Sequence, residues 1–408
     1  MKILFLHALA EPELGGGAEM TLWTLMRGLR DSGHEPVLLA TSDNAGLGKT
    51  EREGITVWQG GIRNVYWPYH KKRPAAPWRL VWHALDSYNR WMQGYIRKVV
   101  RYERPDVASL HNLPGWSVAS WRTLADVGCP TVQVLHDYYS ICVRSTMRCE
   151  KTNCARQCIR CRAFRVPHGI LSRKVNAVVG VSKYVLDAHR KHGYFAGVPI
   201  QRVIHNARAA EALGLDTFVR EEPHMGVQFG YIGGLSEAKG VETLIKAYQA
   251  AELPGSKLLI AGSGKEDYER YLRAKVDDDH IRLLGYVSPR EFYPQVDVVV
   301  VPSLWNEPLG MVVAEALAFG KPVIGSRRGG IPEMIRDGEN GLLFEPEAPG
   351  ELKAALEALQ DDTLRARLTE LARPSARPFL DMAGWVDTYE ALYREVVSES
   401  AVSPQAGS

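Results

Sequence analysis

The sequence predicts an α/β protein made of two doubly wound domains, and three observations predict it. The chain has 408 residues, more than one ordinary core accommodates. Short runs of Val, Ile and Leu alternate with longer amphipathic runs, the pattern of βα units joined into a parallel sheet. The charge also divides along the chain. Residues 1–210 carry 30 Lys and Arg against 15 Asp and Glu, whereas the remainder carries 20 against 32. Such a split points to two domains with different partners. The composition, 45% hydrophobic and 24% charged, is that of a soluble globular protein. No apolar run approaches the ~18 residues of a spanning helix. The opening "MKILFLHALA" is short and runs directly into "EPELGGG", so it reads as a first strand rather than a secretory signal. A cytoplasmic protein is therefore expected.

Taken in order, strands are predicted at "KILFLHA", "EPVLLAT", "DVASLHN", "TVQVLHD", "AVVGVS" and "RVIHN" in the first half. The second half offers "VQFGYIG", "KLLIAGS", "IRLLGYV", "VDVVVVPS", "KPVIGS" and "GLLFEP". Helices fall between them. One is "AEMTLWTLMRGLRDSG", with Arg27 and Arg30 in its last turn and a stop at Gly33. The expected domains are 1–206 and 226–378, joined by a linker at 207–225. A carboxyl-terminal helix at 379–400 returns to the first domain, and a disordered tail follows at 401–408. In doubly wound sheets, ligands bind at the carboxyl ends of the strands.

Three glycine-rich corners follow strands. They lie at Gly15 to Gly17, at Gly233 and Gly234 with Lys239 ahead of a helix, and at Ser263 and Gly264. Backbone amides at such corners can meet an anion, and Lys239 beside them suits a diphosphate. A single corner more often only tightens a crossover; three together favour a phosphate-bearing ligand. Two other matches fail. "DNAGLGKT" has Asp43 where a P-loop needs its first glycine, and the acidic triplet Asp277 to Asp279 reads as a solvated loop. In "NEPLGMVVAEALAFGKPVIGS", Glu307 stands on a loop after a strand and Glu315 lies inside an otherwise apolar helix. A buried carboxylate needs partners. It can accept both hydroxyls of a ribose, or pair with a cation such as Arg327 or Lys321.

Glu307 and Glu315 in this setting form an E-x7-E element that resembles that of retaining glycosyltransferases with the GT-B fold. The run on through "DGENGLLFEP" is similar to glycosyltransferase family 4. "GGGAE", "VLHD", "VIHNA", "YIGGLSEAKG", "IAGSGKE" and "LLGYVS" follow in the family's order, so the resemblance covers nearly the whole chain. It implies two Rossmann-like domains facing each other across a cleft, and transfer of a sugar from a UDP- or GDP-type donor with retention and without a catalytic metal. In its terms Glu315 binds the ribose, while Glu307 and the amides of Leu309, Gly310 and Met311 hold the sugar and phosphates. Lys239 neutralises the diphosphate, with Gly233, Gly234, Ser263 and Gly264 at the same corners. Gly17 lets the amino-terminal loop approach, Tyr286 and Val287 flank the base, and His136 lies near the transferred sugar. Glu307, His136 and Lys239 are the expected catalytic residues. The chain departs from the family at Gly234, where an arginine is usual; either Lys239 or Arg328 compensates, or donor affinity is weaker.

Five of the six cysteines, Cys142, Cys149, Cys154, Cys158 and Cys161, crowd an insert at 142–161, a density that makes a structural zinc an open reading beside free thiols. The stretch 71–105 interleaves basic residues with Trp78, Trp82, Tyr88, Trp91 and Tyr95. That composition suits an anionic membrane surface or an ordinary helical pair. Membrane contact fits a lipid-linked acceptor at the inner face of the plasma membrane, as in cell-surface polysaccharide assembly. Nucleic acid is not expected, because no recognised module accompanies the basic half. The rival readings are an epimerase or phosphorylase on the same architecture, and a catalytically silent partner that binds sugar nucleotides.

Overall fold

The computed structural model describes residues 1–11, 16–70, 74–217, 226–276, 279–348 and 350–402. The chain forms two compact units. The first comprises Met1–Arg148, Cys154–His205 and the chain from Ala383 on; the second comprises Cys149–Asn153 and Asn206–Met382.

The first unit is built on an eight-stranded sheet. Its strands are β1 (Lys2–Leu6), β2 (Glu35–Ser42), β3 (Leu47–Arg52), β4 (Ile55–Gly61), β5 (Val107–Leu110) and β6 (Thr131–Leu135). After two short insert strands, β7 (Arg148–Cys149) and β8 (Thr152–Asn153), come β9 (Ala177–Gly180) and β10 (Ile200–Val203). The order is β10-β9-β6-β5-β1-β2-β4-β3. All neighbours are parallel except β3 and β4. β5, β6 and β9 are buried throughout, which is why they read as unbroken apolar runs. β3 is the exception. It is an exposed edge strand carrying Lys49, Glu51 and Arg52, charges that discourage pairing with another chain. The hairpin of β3 and β4 was not foreseen, and the failed P-loop match ends inside it. The helix Met382–Val402 belongs to this unit, and it extends two residues into the expected tail. Val386 stands against Gly28 at a point where a Cβ on Gly28 would collide with it. Tyr393, fully buried, reaches Ser109 of β5.

The second unit has a six-stranded, wholly parallel sheet. Its strands are β11 (Gln228–Ile232), β12 (Lys257–Ala261), β13 (Ile281–Gly285), β14 (Val298–Val301), β15 (Val323–Ser326) and β16 (Gly341–Phe344). The order β13-β12-β11-β14-β15-β16 is the doubly wound one, with its switch point between β11 and β14. Phe229, Leu258, Ile260, Val298, Val300 and Ile324 fill the core beneath helix residues such as Leu244 and Ile245. Of the expected linker, 218–225 lies outside the described residues. Its described part carries the short helix Ala210–Leu213.

Candidate active site

In the second unit the site grows from the switch point. β11 ends at Ile232, and the chain turns through Gly233, whose φ of 152° few other residues adopt. Gly234 follows, exposed, and a Cβ there would meet nothing within 4 Å. A 3-10 turn, Glu237–Lys239, then leads through left-handed Gly240 into the helix Val241–Ala250. This turn is pinned to the loop after β14. Leu304 and Trp305 donate their amides to Ala238 O at 2.9 and 3.0 Å, and a Cβ on Gly240 would collide with Pro302 O. The pinning brings Lys239 to Glu307: Nζ and Oε1 are 2.6 Å apart, and Lys239 also lies over the Trp305 ring. Ser303 Oγ donates to the same oxygen at 2.8 Å, and Glu307 is only 5% exposed. Gly330 donates its amide to Glu307 O at 2.8 Å, while a Cβ on Gly329 would strike the Glu307 backbone. The glycine pair after Arg328 therefore lets one loop seat the other.

Beyond Glu307 the chain passes buried Leu309 and left-handed Gly310 (φ 92°) into the helix Met311–Ala318. Glu315 sits on that helix with 12% of its side chain exposed. Arg208 Nε donates to Oε1 at 3.2 Å, and Tyr293 OH donates to Oε2 at 3.4 Å. Burial pushes the Glu315 carboxyl upward, and Arg208 works against it. The cation is therefore Arg208, not Arg327 or Lys321. Arg327 turns outward to Asp337 and Glu345, and Lys321 is itself buried. Both Glu315 oxygens keep a lone pair for a further donor.

Several expectations change. Gly264 donates its amide to Glu269 at 2.6 Å, and Gly16 donates its own to Glu19 at 2.7 Å. These two amides are held by the chain's own carboxylates and are not open to a phosphate. Gly15 lies outside the described residues, and Gly17 begins its helix exposed. Ser263 O accepts from Leu235 N, which ties the third corner to the second. Arg328 pairs with Glu345 and Glu347. Tyr286 is 82% exposed, with Val287 beside it, so the aromatic ring is open to a base.

In the first unit His136 follows β6, and two histidines that the sequence did not single out join it. His7 follows β1 and His111 follows β5, the two strands at that sheet's switch point. His111 Nδ1 and His136 Nε2 are 2.8 Å apart. Burial lowers His136 to about 3, with the neighbouring His7 adding to the effect, and lowers His7 and His111 also. All three are neutral imidazoles. Glu19 Oε1 is 3.8 Å from His7 Nε2. Asp137 caps the amide of Tyr139 at 2.7 Å, and burial raises its carboxyl to about 7.

The insert does not fit a four-thiolate zinc. Cys142 and Cys161 approach with sulfurs 3.9 Å apart, but Cys149 and Cys158 are exposed. Among the described residues no three His, Cys, Asp or Glu side chains form a group able to hold a metal ion. Arg165 organises the insert instead. It is buried, it donates to Cys142 O at 3.3 Å, its Nη1 is 3.1 Å from His168 Nε2, and it lies over the Tyr139 ring.

Two α/β sheets, the second wholly parallel and the first parallel but for its β3–β4 edge, each with polar side chains gathered at its switch point, define a two-domain architecture of the GT-B type. Residues 216–374 match the family Glycosyl transferases group 1, and residues 16–207 match a Glycosyl transferase 4-like domain. The chain belongs to the group 1 glycosyltransferases with the GT-B fold. It is 28% identical over 338 residues to an uncharacterized 42.6 kDa protein in the cps region of Klebsiella pneumoniae, covering 82% of this chain and 88% of that one. It is 38% identical over 143 residues to the lipopolysaccharide core biosynthesis glycosyltransferase LpsE of Rhizobium meliloti, a match to 34% of this chain and 41% of that protein. The crystal structure of Anabaena HepE in complex with UDP superposes with a TM-score of 0.72 at 18% identity, covering 97% of this chain and all of that one, a likeness of fold.

Proposed function

We propose that the protein is a retaining, metal-independent glycosyltransferase. It moves a sugar from a UDP- or GDP-type donor to a glycan or lipid-linked acceptor in cell-surface polysaccharide synthesis. The observation that carries this reading is the pair Glu307 and Glu315, set on one loop and helix after β14 beside Lys239 and Arg208. Glu315 takes the ribose hydroxyls. Lys239 meets the charge that grows on the diphosphate as the sugar–phosphate bond breaks, and the amides of Leu309, Gly310 and Met311 add to it. Glu307 holds the sugar, and His136 of the first unit contacts it. The UDP bound by HepE and the named role of LpsE support the donor class and the setting.

A thermal-shift screen against UDP, GDP, ADP, CMP and their sugar conjugates, with EDTA present, tests the donor class. One nucleotide and its sugar conjugate are expected to raise Tm undiminished by EDTA. No shift at millimolar ligand would sink the reading in favour of a degenerate or partner-dependent protein, for which Gly234 speaks. The same screen includes Gly234→Arg. The open space at that position admits the side chain, and a charge-assisted bond to phosphate is expected to tighten nucleotide binding about ten-fold.

Membrane contact also belongs to this reading. Among the described residues no helix is long and apolar enough to cross a membrane. Trp82 and Tyr95 face the core, but Trp78, Leu80, Val81 and Trp91 are exposed, as are Ile159, Val166 and Ile170 in the insert region. With the arginines among them they suit an anionic bilayer surface. The protein is expected to sediment with phosphatidylglycerol vesicles and not with phosphatidylcholine vesicles; equal recovery with both would refute it.

A further inference from the structure

Four side chains of the first unit form one hydrogen-bonded line. Tyr393 OH donates to Ser109 Oγ at 2.9 Å, Ser109 Oγ lies 3.1 Å from His111 Nε2, and His111 Nδ1 lies 2.8 Å from His136 Nε2. The protons along it have one self-consistent arrangement. Tyr393 is fully buried, and Ser109 is the partner of its hydroxyl, so the phenol proton points at Ser109. The serine's single proton must then go to His111 Nε2, which is a bare lone pair. A neutral imidazole with a bare Nε2 carries its proton on Nδ1. That proton enters His136 Nε2, which is therefore bare as well, and His136 is left protonated on Nδ1. With the proton on His111 Nε2 instead, either the phenol proton or, if the serine oxygen accepts from both neighbours, the serine proton is stranded in the buried interior, at a cost of about 1–3 kcal/mol. Both rings are neutral, because burial holds His111 and His136 well below the ordinary histidine range. Among the described residues no carboxylate hydrogen-bonds to any of the four. His136 itself is half-buried, so part of its ring reaches the surface.

We infer that Tyr393, Ser109 and His111 are positioning residues that lock His136 in its Nδ1–H form, making it a neutral hydrogen-bond donor to an oxygen of the transferred sugar rather than a base. The sugar half of this statement rests on the glycosyltransferase reading; the lock does not. The chemistry favours such a donor. As the sugar–phosphate bond breaks, the ring gains positive charge, and an imidazolium beside it would oppose that change. A neutral N–H fixes a hydroxyl without opposing it.

The test is nitrogen NMR of the full-length protein labelled at histidine, without ligand, followed by nucleotide-sugar turnover. In the unaltered protein His111 and His136 are each expected with a proton on Nδ1 and none on Nε2. Tyr393→Phe and Ser109→Ala each remove a donor, and each should give a mixture of both tautomers at His136. A merely structural role would lower Tm without moving those signals. Turnover in both variants should fall about five- to ten-fold in kcat, the worth of one hydrogen bond, with KM for the donor little changed. A proton on His136 Nε2 in the unaltered protein, or tautomers unmoved in both variants, overturns the lock. Moved tautomers with unchanged kcat overturn only the contact with the sugar. If the unaltered protein turns over no donor, the glycosyltransferase reading fails while the spectra still decide the lock.

Discussion

Glu307→Gln is expected to reduce nucleotide-sugar turnover by about 10²–10³-fold while shifting nucleotide affinity less than ten-fold. The carboxylate is nearly enclosed and accepts from both Lys239 Nζ and Ser303 Oγ through one oxygen. In the proposed function the other oxygen takes a sugar hydroxyl. Glutamine keeps the shape but removes the anion that aims Lys239, so the ammonium and the sugar lose their common reference point together. Stability should suffer little. About a third of the Lys239 side chain is exposed, so water takes over its charge, and the folded state loses roughly 1 kcal/mol or less. Kinetics of nucleotide release checks this, alongside the melting temperature. Adding Lys239→Met to Glu307→Gln should cost little more than either change alone, because the two side chains act as one unit. Turnover within about three-fold of the unaltered protein would remove Glu307 from the chemistry.

Glu315→Ala is expected to lose nucleotide binding and stability at once. Arg208 and Tyr293 both donate to this carboxylate, and only 12% of the Arg208 side chain is exposed. Removing the anion leaves a nearly buried guanidinium uncompensated, which costs about 3–5 kcal/mol. The loss of a two-hydroxyl contact should weaken nucleotide binding about 10–100-fold. A second variant separates the two effects. Glu315→Ala combined with Arg208→Met should recover most of the stability, because no buried charge is left over, but not the affinity. Calorimetric titration with the nucleotide from the thermal screen reads the second quantity. Recovery of affinity in the double variant would make Glu315 an ion-pair residue and nothing more.

The fold was legible wherever burial on both faces forces unbroken apolar strands. β1, β2, β5, β6 and the six strands of the second sheet lie where the Val- and Leu-rich runs predict them. The β3–β4 hairpin was not, because an edge strand open to solvent carries no apolar signature and "LGKTER" reads as a loop. At the site, residue types were legible and partners were not. A carboxylate in an apolar helix announces that it needs a partner. Only folding shows that the partner is Arg208, 107 residues away, and the charges nearest in sequence misled. The same holds for the glycine corners. The sequence shows amides that could bind an anion, but Glu19 and Glu269, a few residues downstream, claim two of them. The histidine line was least accessible, since Ser109 and Tyr393 are separated by 284 residues.

The return of Met382–Val402 to the first unit has a consequence for how the protein is made. Its second unit is nearly contiguous in the chain, whereas the first is closed by a helix that is synthesised after the whole of the second. Domains generally fold as units during synthesis, the earliest-made one first. Here that order is inverted at the final step. The amino-terminal unit waits, with Gly28 and Ser109 uncovered, until Val386 and Tyr393 arrive. A nascent chain stalled before Tyr393 holds all the residues of the second unit but leaves Ser109 without its hydroxyl partner. Completion of the amino-terminal unit thus comes after that of the second unit, not before it.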